Sequence, residues 1–322
     1  MSGSKYRSES EYRNSQYYRQ EELICSSDIF SGDKGGGIFR NKRYPFVLQD
    51  GNNNLYEPIR DEIIAYFKKN KIAWWDGTAP SNHTLSSQIA CLNHLFTIRK
   101  DKAAVLALLN GVRDEFEDVL PVECDDDPQY ISFEVVSTKD HLNEKTSTRG
   151  SNCTSVDALI YAVHRGDKRQ WLIPIEWKYT ECYRTKDLSR DGSKGEVRLG
   201  RYSALIDASP QLKSMDNYRG SIYYQEPFYQ LMRQTLWAEY IIRHRDEEIL
   251  KADDYLHIHV IPSANEDLLN KQYNVSDAPM KAMWHKMLND PTKYVIIDPK
   301  KLFAPIVDSY PELSQYLEKR YW

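Results

Sequence analysis

Two neighbouring apolar stretches, residues 155–163 (S-V-D-A-L-I-Y-A-V) and 170–179 (Q-W-L-I-P-I-E-W-K-Y), carry charges where an apolar run ought to exclude them. Both have the length and the β-branched and aromatic content of strands, and the turn at 164–169 suits a hairpin between them. Side chains two apart on a strand share a face. Glu176 and Lys178 therefore point one way, while Trp177 turns to the buried side with Ile173 and Ile175. Asp157 lies in the preceding stretch, flanked by Val156 and by Leu159 and Ile160. Charges in such places are costly unless paired or bound to a metal. Pro174 marks an edge or bulge in the second strand.

The rest of the chain reads as helices first and strands later. Residues 1–24 are rich in Ser, Tyr, Arg, Glu and Gln, which suggests a polar, peripheral tail or helix. Gly35-Gly36-Gly37 reads as a flexible turn, and no phosphate-cradling G-x-x-x-x-G-K-[ST] follows it. Apolar spacing predicts helices over 59–67, 86–98 and 101–120, the last ended by Pro121, and the acidic stretch 123–127 reads as a solvated loop. From residue 128 the texture changes: strands at 131–136, 155–163 and 170–179, a polar loop over 184–201, and a helix at 228–242. Strands at 255–261 and 294–297 and a closing helix from about 311 complete the pattern. This order predicts an α/β fold, a mixed sheet flanked by helices. It divides into a mainly helical region over 25–127 and an α/β core over 128–322, with no linker at the boundary.

Two carboxylates from adjacent strands can hold Mg²⁺, a hard cation that takes oxygen ligands and keeps several waters. Such an ion polarises a phosphoryl oxygen and lowers the pKa of water, and a lysine beside it could stabilise charge developing at phosphorus. The alternative is a buried ion pair that merely holds the hairpin together. An acid-base pair of a glycosidase drawn from Glu134, Asp157 and Glu176 is a further option, against which Lys178 and the basic loop count.

Val156-Asp157 followed by Glu176-Trp177-Lys178 resembles the core motif of the PD-(D/E)XK nuclease superfamily, and the chain is similar to its bacterial restriction endonucleases over about residues 134–261. The motif is short and degenerate; its order, spacing and strand context make it more specific. The resemblance implies a restriction-endonuclease-like fold and Mg²⁺-dependent hydrolysis of DNA, with Mn²⁺ able to substitute. Asp157 and Glu176 would bind the metal, the carbonyl of Trp177 would add a ligand, and Lys178 would assist the attacking water. Val156 stands where the motif has proline, a common departure. Where relatives often carry an extra acid on an early helix, this chain has Gln88, so Glu134 on the 131–136 strand is the substitute. Relatives also often bring a glutamine or basic residue from a following helix; here these would be Gln230, Arg233 and Gln234. Glu181 is a further possible ligand or a solvated residue. The alternative function is a DNA-binding or regulatory protein that keeps the fold without cleaving.

For DNA contacts, the segment leading into Asp157 offers Arg149 and Ser155 among small hydroxyl residues, suited to a phosphate backbone. The 184–201 loop sets Arg184, Lys186, Arg190, Lys194, Arg198 and Arg201 against Asp187, Asp191 and Glu196, and of these Arg190, Lys194 and Arg198 are the candidate contacts. The net charge of −4 neither favours nor excludes such a groove. His257-X-His259 shares a strand face but lacks a third metal ligand. Neither H-E-x-x-H nor G-x-S-x-G occurs. The five cysteines are scattered and form no C-x-x-C pair, which suits a reducing cytoplasm. With no apolar leader or membrane-length run, the expectation is a soluble cytoplasmic protein, working alone or as a homodimer, with a partner methyltransferase in a restriction system.

Overall fold

Alternation along the two charged stretches decides the architecture, because their two faces enter two different cores. In the computed structural model, which describes residues 8, 10–75, 77–124, 127–145, 148–150, 153–184, 186–273 and 275–322, Ala158, Ile160 and Ala162 join one core with Ile173, Ile175 and Trp177. Leu159, Tyr161 and Leu172 join the other. A sheet buried on both faces needs helices on both sides.

The chain begins with helix α1 (Glu11–Ser26), a small hairpin β1 (Gly37–Phe39) and β2 (Lys42–Tyr44), then helices α2 (Arg60–Lys69), α3 (Ser87–Leu95) and α4 (Lys102–Val112). Strand β3 (Phe116–Leu120), the short pair β4 (Glu123–Cys124) and β5 (Pro128–Gln129), and β6 (Ile131–Val135) follow. The charged stretches are β7 (Val156–His164) and β8 (Gln170–Trp177). Helices α5 (Gly192–Asp207) and α6 (Phe228–Arg243) precede β9 (Asp254–Tyr255) and β10 (His257–Val260). Short helix α7 (Glu266–Leu269), α8 (Met280–Met287), β11 (Tyr294–Ile297), α9 (Pro299–Phe303) and α10 (Pro311–Arg320) end the chain.

The central sheet runs in the order β11-β10-β8-β7-β3, with β6 also on β7 and β9 also on β8. β7 and β8 are antiparallel, as the hairpin reading expects, whereas β10 lies parallel to both β8 and β11. The result is a mixed sheet, with α2, α3, α4 and α10 over one face and α5, α6 and α8 over the other. No described helix is long and apolar enough to cross a membrane.

Five expectations change. The helix expected over 101–120 ends at Val112, and 116–120 is a strand. Phe116 and Val119 are three apart, a helical spacing, but a register shift between Phe116 and Asp118 lets both face inward from a strand. Part of the 184–201 loop is helix α5, held by buried Tyr202 and Ile206. The boundary at 127/128 separates no cores: β3 pairs with β7, and α2, α3 and α4 share one core with β6, β7 and β8. Gly35-Gly36-Gly37 is a tight anchor rather than a flexible turn. A Cβ at Gly35 would lie 2.2 Å from the Pro45 carbonyl oxygen, and one at Gly37 would lie 1.8 Å from that of Leu48. Where the sequence suggests a polar, peripheral tail or helix, α1 buries Tyr12, Gln16, Gln20 and Ile24 at four-residue spacing, and the Tyr179 hydroxyl donates to Gln16 at 2.8 Å. Residues 1–7 and 9 of that segment lie outside the described residues.

Candidate active site

The ladder between β7 and β8 pairs Ala158 with Ile175, and there the regular backbone bonding stops. One residue further on, the Asp157 carboxylate takes over: its Oδ2 accepts the backbone N–H of Trp177 at 2.6 Å. On the other edge of β7, β6 pairs Phe133 with Ala158 and Val135 with Val156, skipping Glu134. Glu134 has φ of 50°. That left-handed backbone is rare for a residue with a side chain and costs about 1–3 kcal/mol, so the surroundings must hold it in place. On β10, His259 is the Cα partner of Glu176. Glu134, Asp157, Glu176 and His259 thus stand at one level across four strands.

Helices on the two sides of the sheet supply the partners. From α3, the Gln88 amide donates to Glu134 Oε1 at 2.7 Å, and the Ser155 hydroxyl donates to Glu134 Oε2 at 3.3 Å. Glu134 and Asp157 line a narrow void with Gln88, Cys91, Leu92, Phe67 and Phe133. From α6, Gln234 donates to Glu176 and to the Ser155 carbonyl, and Gln230 accepts from Lys178 at 2.7 Å. Lys178 also donates to Glu176 in a buried ion pair. Gln230 and Gln234, one turn apart, therefore serve the two halves of a single pair. Trp177 meets this group through its backbone, since its indole is buried in the opposite core.

The charges do not balance locally. Burial, and then the charges of Glu176 and Glu134, push the Asp157 carboxyl well above the ordinary carboxylate range, against the pull of Lys178 and the Trp177 N–H. Burial, opposed by the Gln88 hydrogen bond and reinforced by Glu176, brings Glu134 up to about 7. Burial disfavours the Lys178 ammonium, but Glu176, Tyr183, Glu181 and Asp157 outweigh it and hold this lysine charged well above its usual range. Burial and the charges of Asp157, Glu134 and Glu176 keep the Cys91 thiol neutral. Two buried carboxylates, Glu134 and Glu176, and the partly buried Asp157 thus face one buried ammonium.

Other candidates are placed differently. Arg149 is a clip rather than a free phosphate contact: its guanidinium pairs with Glu123 at 3.0 Å and donates to Tyr66, Ser132 and the Phe133 carbonyl. Arg233 pairs with Glu144 at 3.0 Å, away from Glu176. Arg190 pairs with Asp187 and Arg198 with Asp191, leaving Lys194 as the exposed member of that trio with no ion pair among the described residues. Glu181 caps the strand end, accepting from Ser87 and from the Tyr179 N–H. His257 and His259 are buried. Burial, then Lys178, lowers His257 to about 3, and His259 donates to or accepts from the Tyr294 hydroxyl at 2.7 Å. Among the described residues, no three His, Cys, Asp or Glu are gathered into a metal-binding group. Gln88 is the partner that the sequence shows only as a missing acid; its role needed the packing of α3 against β6.

The family described as Restriction Endonuclease associating with ARP matches residues 13–322. The chain belongs to that family. No curated protein and no solved structure matches it. Membership in a restriction-endonuclease family supports a nuclease role and agrees with the mixed sheet flanked by helices. Because the family match begins at residue 13, it includes nearly all of α1 together with the nuclease-like sheet.

Proposed function

We propose that this family member is a Mg²⁺-dependent endodeoxyribonuclease of the PD-(D/E)XK type, acting in bacterial restriction or defence. The observation that carries the reading is the meeting of Asp157, Glu176 and Lys178 at one end of β7 and β8, with Gln230 and Gln234 fixing the Glu176–Lys178 pair. The donor set fits the ion: oxygen ligands, and a local charge that one divalent cation would neutralise. Asp157 and Glu176 would hold it, with the Trp177 carbonyl and water completing a site of few protein ligands. When bound, Mg²⁺ would supply Lewis-acid polarisation of the scissile phosphate.

The chain's own groups divide the remaining work. Lys178, kept charged by its carboxylate neighbours, would stabilise negative charge that builds on the phosphoryl oxygens. Glu134, held at about 7, suits acceptance of a proton from the attacking water near neutral pH. Gln88 is a positioning residue that fixes Glu134. The test is nicking of supercoiled plasmid by the purified protein with Mg²⁺, with EDTA, and by Asp157→Ala and Lys178→Ala. Mg²⁺-dependent nicking lost in both variants is expected. Nicking that survives EDTA or both substitutions would overturn the reading, and DNA binding without nicking would favour a protein that keeps the fold but does not cleave.

A further inference from the structure

The β1–β2 hairpin carries a surface that the nuclease reading leaves unused. Between Asp33 and Asp50 the sequence has Lys34, Arg40, Lys42 and Arg43 and no acidic residue. Arg40, Lys42 and Arg43 are exposed on the hairpin, and so is Ile38. Trp75, from the segment after α2, is 59% exposed, far more than a large aromatic needs for packing. Its ring stacks on Phe39 with centroids 6.3 Å apart, and the Arg40 guanidinium lies over both, 5.2 Å from Phe39 and 5.6 Å from Trp75.

The hairpin holds these groups rigidly. Phe39 pairs with Lys42, so Arg40 and Asn41 form a two-residue turn with φ of 47° and 63°. Asn tolerates that conformation; arginine is a strained choice there, which suggests that its side chain is retained for a use other than the turn. The glycines behind the hairpin lock it onto residues 45–48, and the Arg43 guanidinium closes onto the Gly36 carbonyl at 2.5 Å. The surface is also wired to the candidate site. The Trp75 backbone N–H donates to Gln88 Oε1 at 3.1 Å, and the same glutamine donates to Glu134.

We infer that Trp75, Phe39 and Arg40, with Lys42 and Arg43, form a nucleic-acid contact platform that grips the DNA strand next to the scissile phosphate. Cations that form no ion pair among the described residues suit phosphates, and an exposed indole beside a guanidinium suits the face of an unstacked base. This inference rests on the nuclease reading for the identity of its ligand. Gln88 links the backbone at the base of this platform to Glu134.

The experiment measures binding of fluorescein-labelled single-stranded and duplex oligonucleotides in Ca²⁺, with the full chain, Trp75→Ala, Trp75→Phe and Arg40→Ala/Lys42→Ala. The wild type should bind both and bury Trp75, so that tryptophan emission is quenched. Trp75→Ala should weaken single-strand binding about tenfold and lose most of the quench, while Trp75→Phe recovers much of the affinity. Arg40→Ala/Lys42→Ala should weaken both DNAs and lower the salt slope by roughly one to two units. A wild type that binds and nicks DNA, with all variants binding equally well, would overturn the platform and leave the nuclease reading standing. A wild type that binds no DNA would bring down both.

Discussion

The two halves of the candidate site hold carboxylates of the same kind in opposite electrical circumstances. On the α6 side, Glu176 has an ammonium and an amide on its oxygens, and Lys178 is itself fixed by Gln230. On the α3 side, Glu134 and Asp157 have only neutral donors, an amide, a hydroxyl and a backbone N–H. Burial therefore raises Glu134 and Asp157 above the ordinary carboxylate range. A lysine two residues from Glu176 neutralises one half, while the other half keeps two carboxylates that no cation of the chain hydrogen-bonds among the described residues.

The sharpest way to break this comparison is to remove the lysine. Lys178→Ala should cut the single-turnover cleavage rate by ~10²-fold or more, the scale of losing one electrostatic stabiliser, while DNA affinity in Ca²⁺ changes much less. A variant that binds poorly but cleaves at the normal saturated rate would remove Lys178 from the chemistry.

Metal response sharpens the other half. Mg²⁺ or Mn²⁺ should raise the melting temperature of the wild type by a few degrees, because a cation that binds only the folded state relieves its carboxylate repulsion. Asp157→Ala should shrink that shift and leave the metal-free protein unharmed or slightly more stable. Equal shifts in both proteins would count against Asp157 as a ligand.

The pH dependence of stability follows from Glu134. Its carboxyl moves from 4.5 to about 7 on folding, so between those values the folded chain keeps a proton that the unfolded chain has released. Metal-free stability should therefore fall as pH rises through this window, by at most about 1.4 kcal/mol per pH unit for this one group. Glu134→Gln should flatten the slope. Buried Glu239, also raised to about 7 by burial, contributes a separate share that Glu239→Gln would remove. Chemical denaturation at several pH values would show a slope unchanged by Glu134→Gln if the carboxylate were already satisfied.

The smallest effect belongs to the basic residues of the 184–201 segment. Arg190 and Arg198 are engaged with Asp187 and Asp191, and an arginine already paired releases fewer counterions from DNA. Replacing Arg190, Lys194 and Arg198 together should flatten the salt dependence of binding by less than one unit per residue removed. A larger loss would mean that these pairs open on DNA.

The sequence by itself determined the two central strands and the motif on them. Period-two alternation in 155–163 and 170–179 fixed which side chains share a face, and charges inside apolar runs marked Asp157, Glu176 and Lys178, because burial makes such residues expensive anywhere else. It also placed Gln230 and Gln234 on one helix face. Tertiary structure decided what depends on which partners the fold brings together. Phe116 and Val119 fit a helix or a bulged strand equally well until β7 pairs with them. The excess of basic residues in 184–201 looked available until folding brought Asp187 and Asp191 onto Arg190 and Arg198. Gln88 gained a role only when α3 set its amide against Glu134, and Arg149 became a clip only when Glu123 and Tyr66 met it. Periodicity is a local property of the backbone and survives in the sequence, whereas charge compensation is a property of neighbours that only the fold creates.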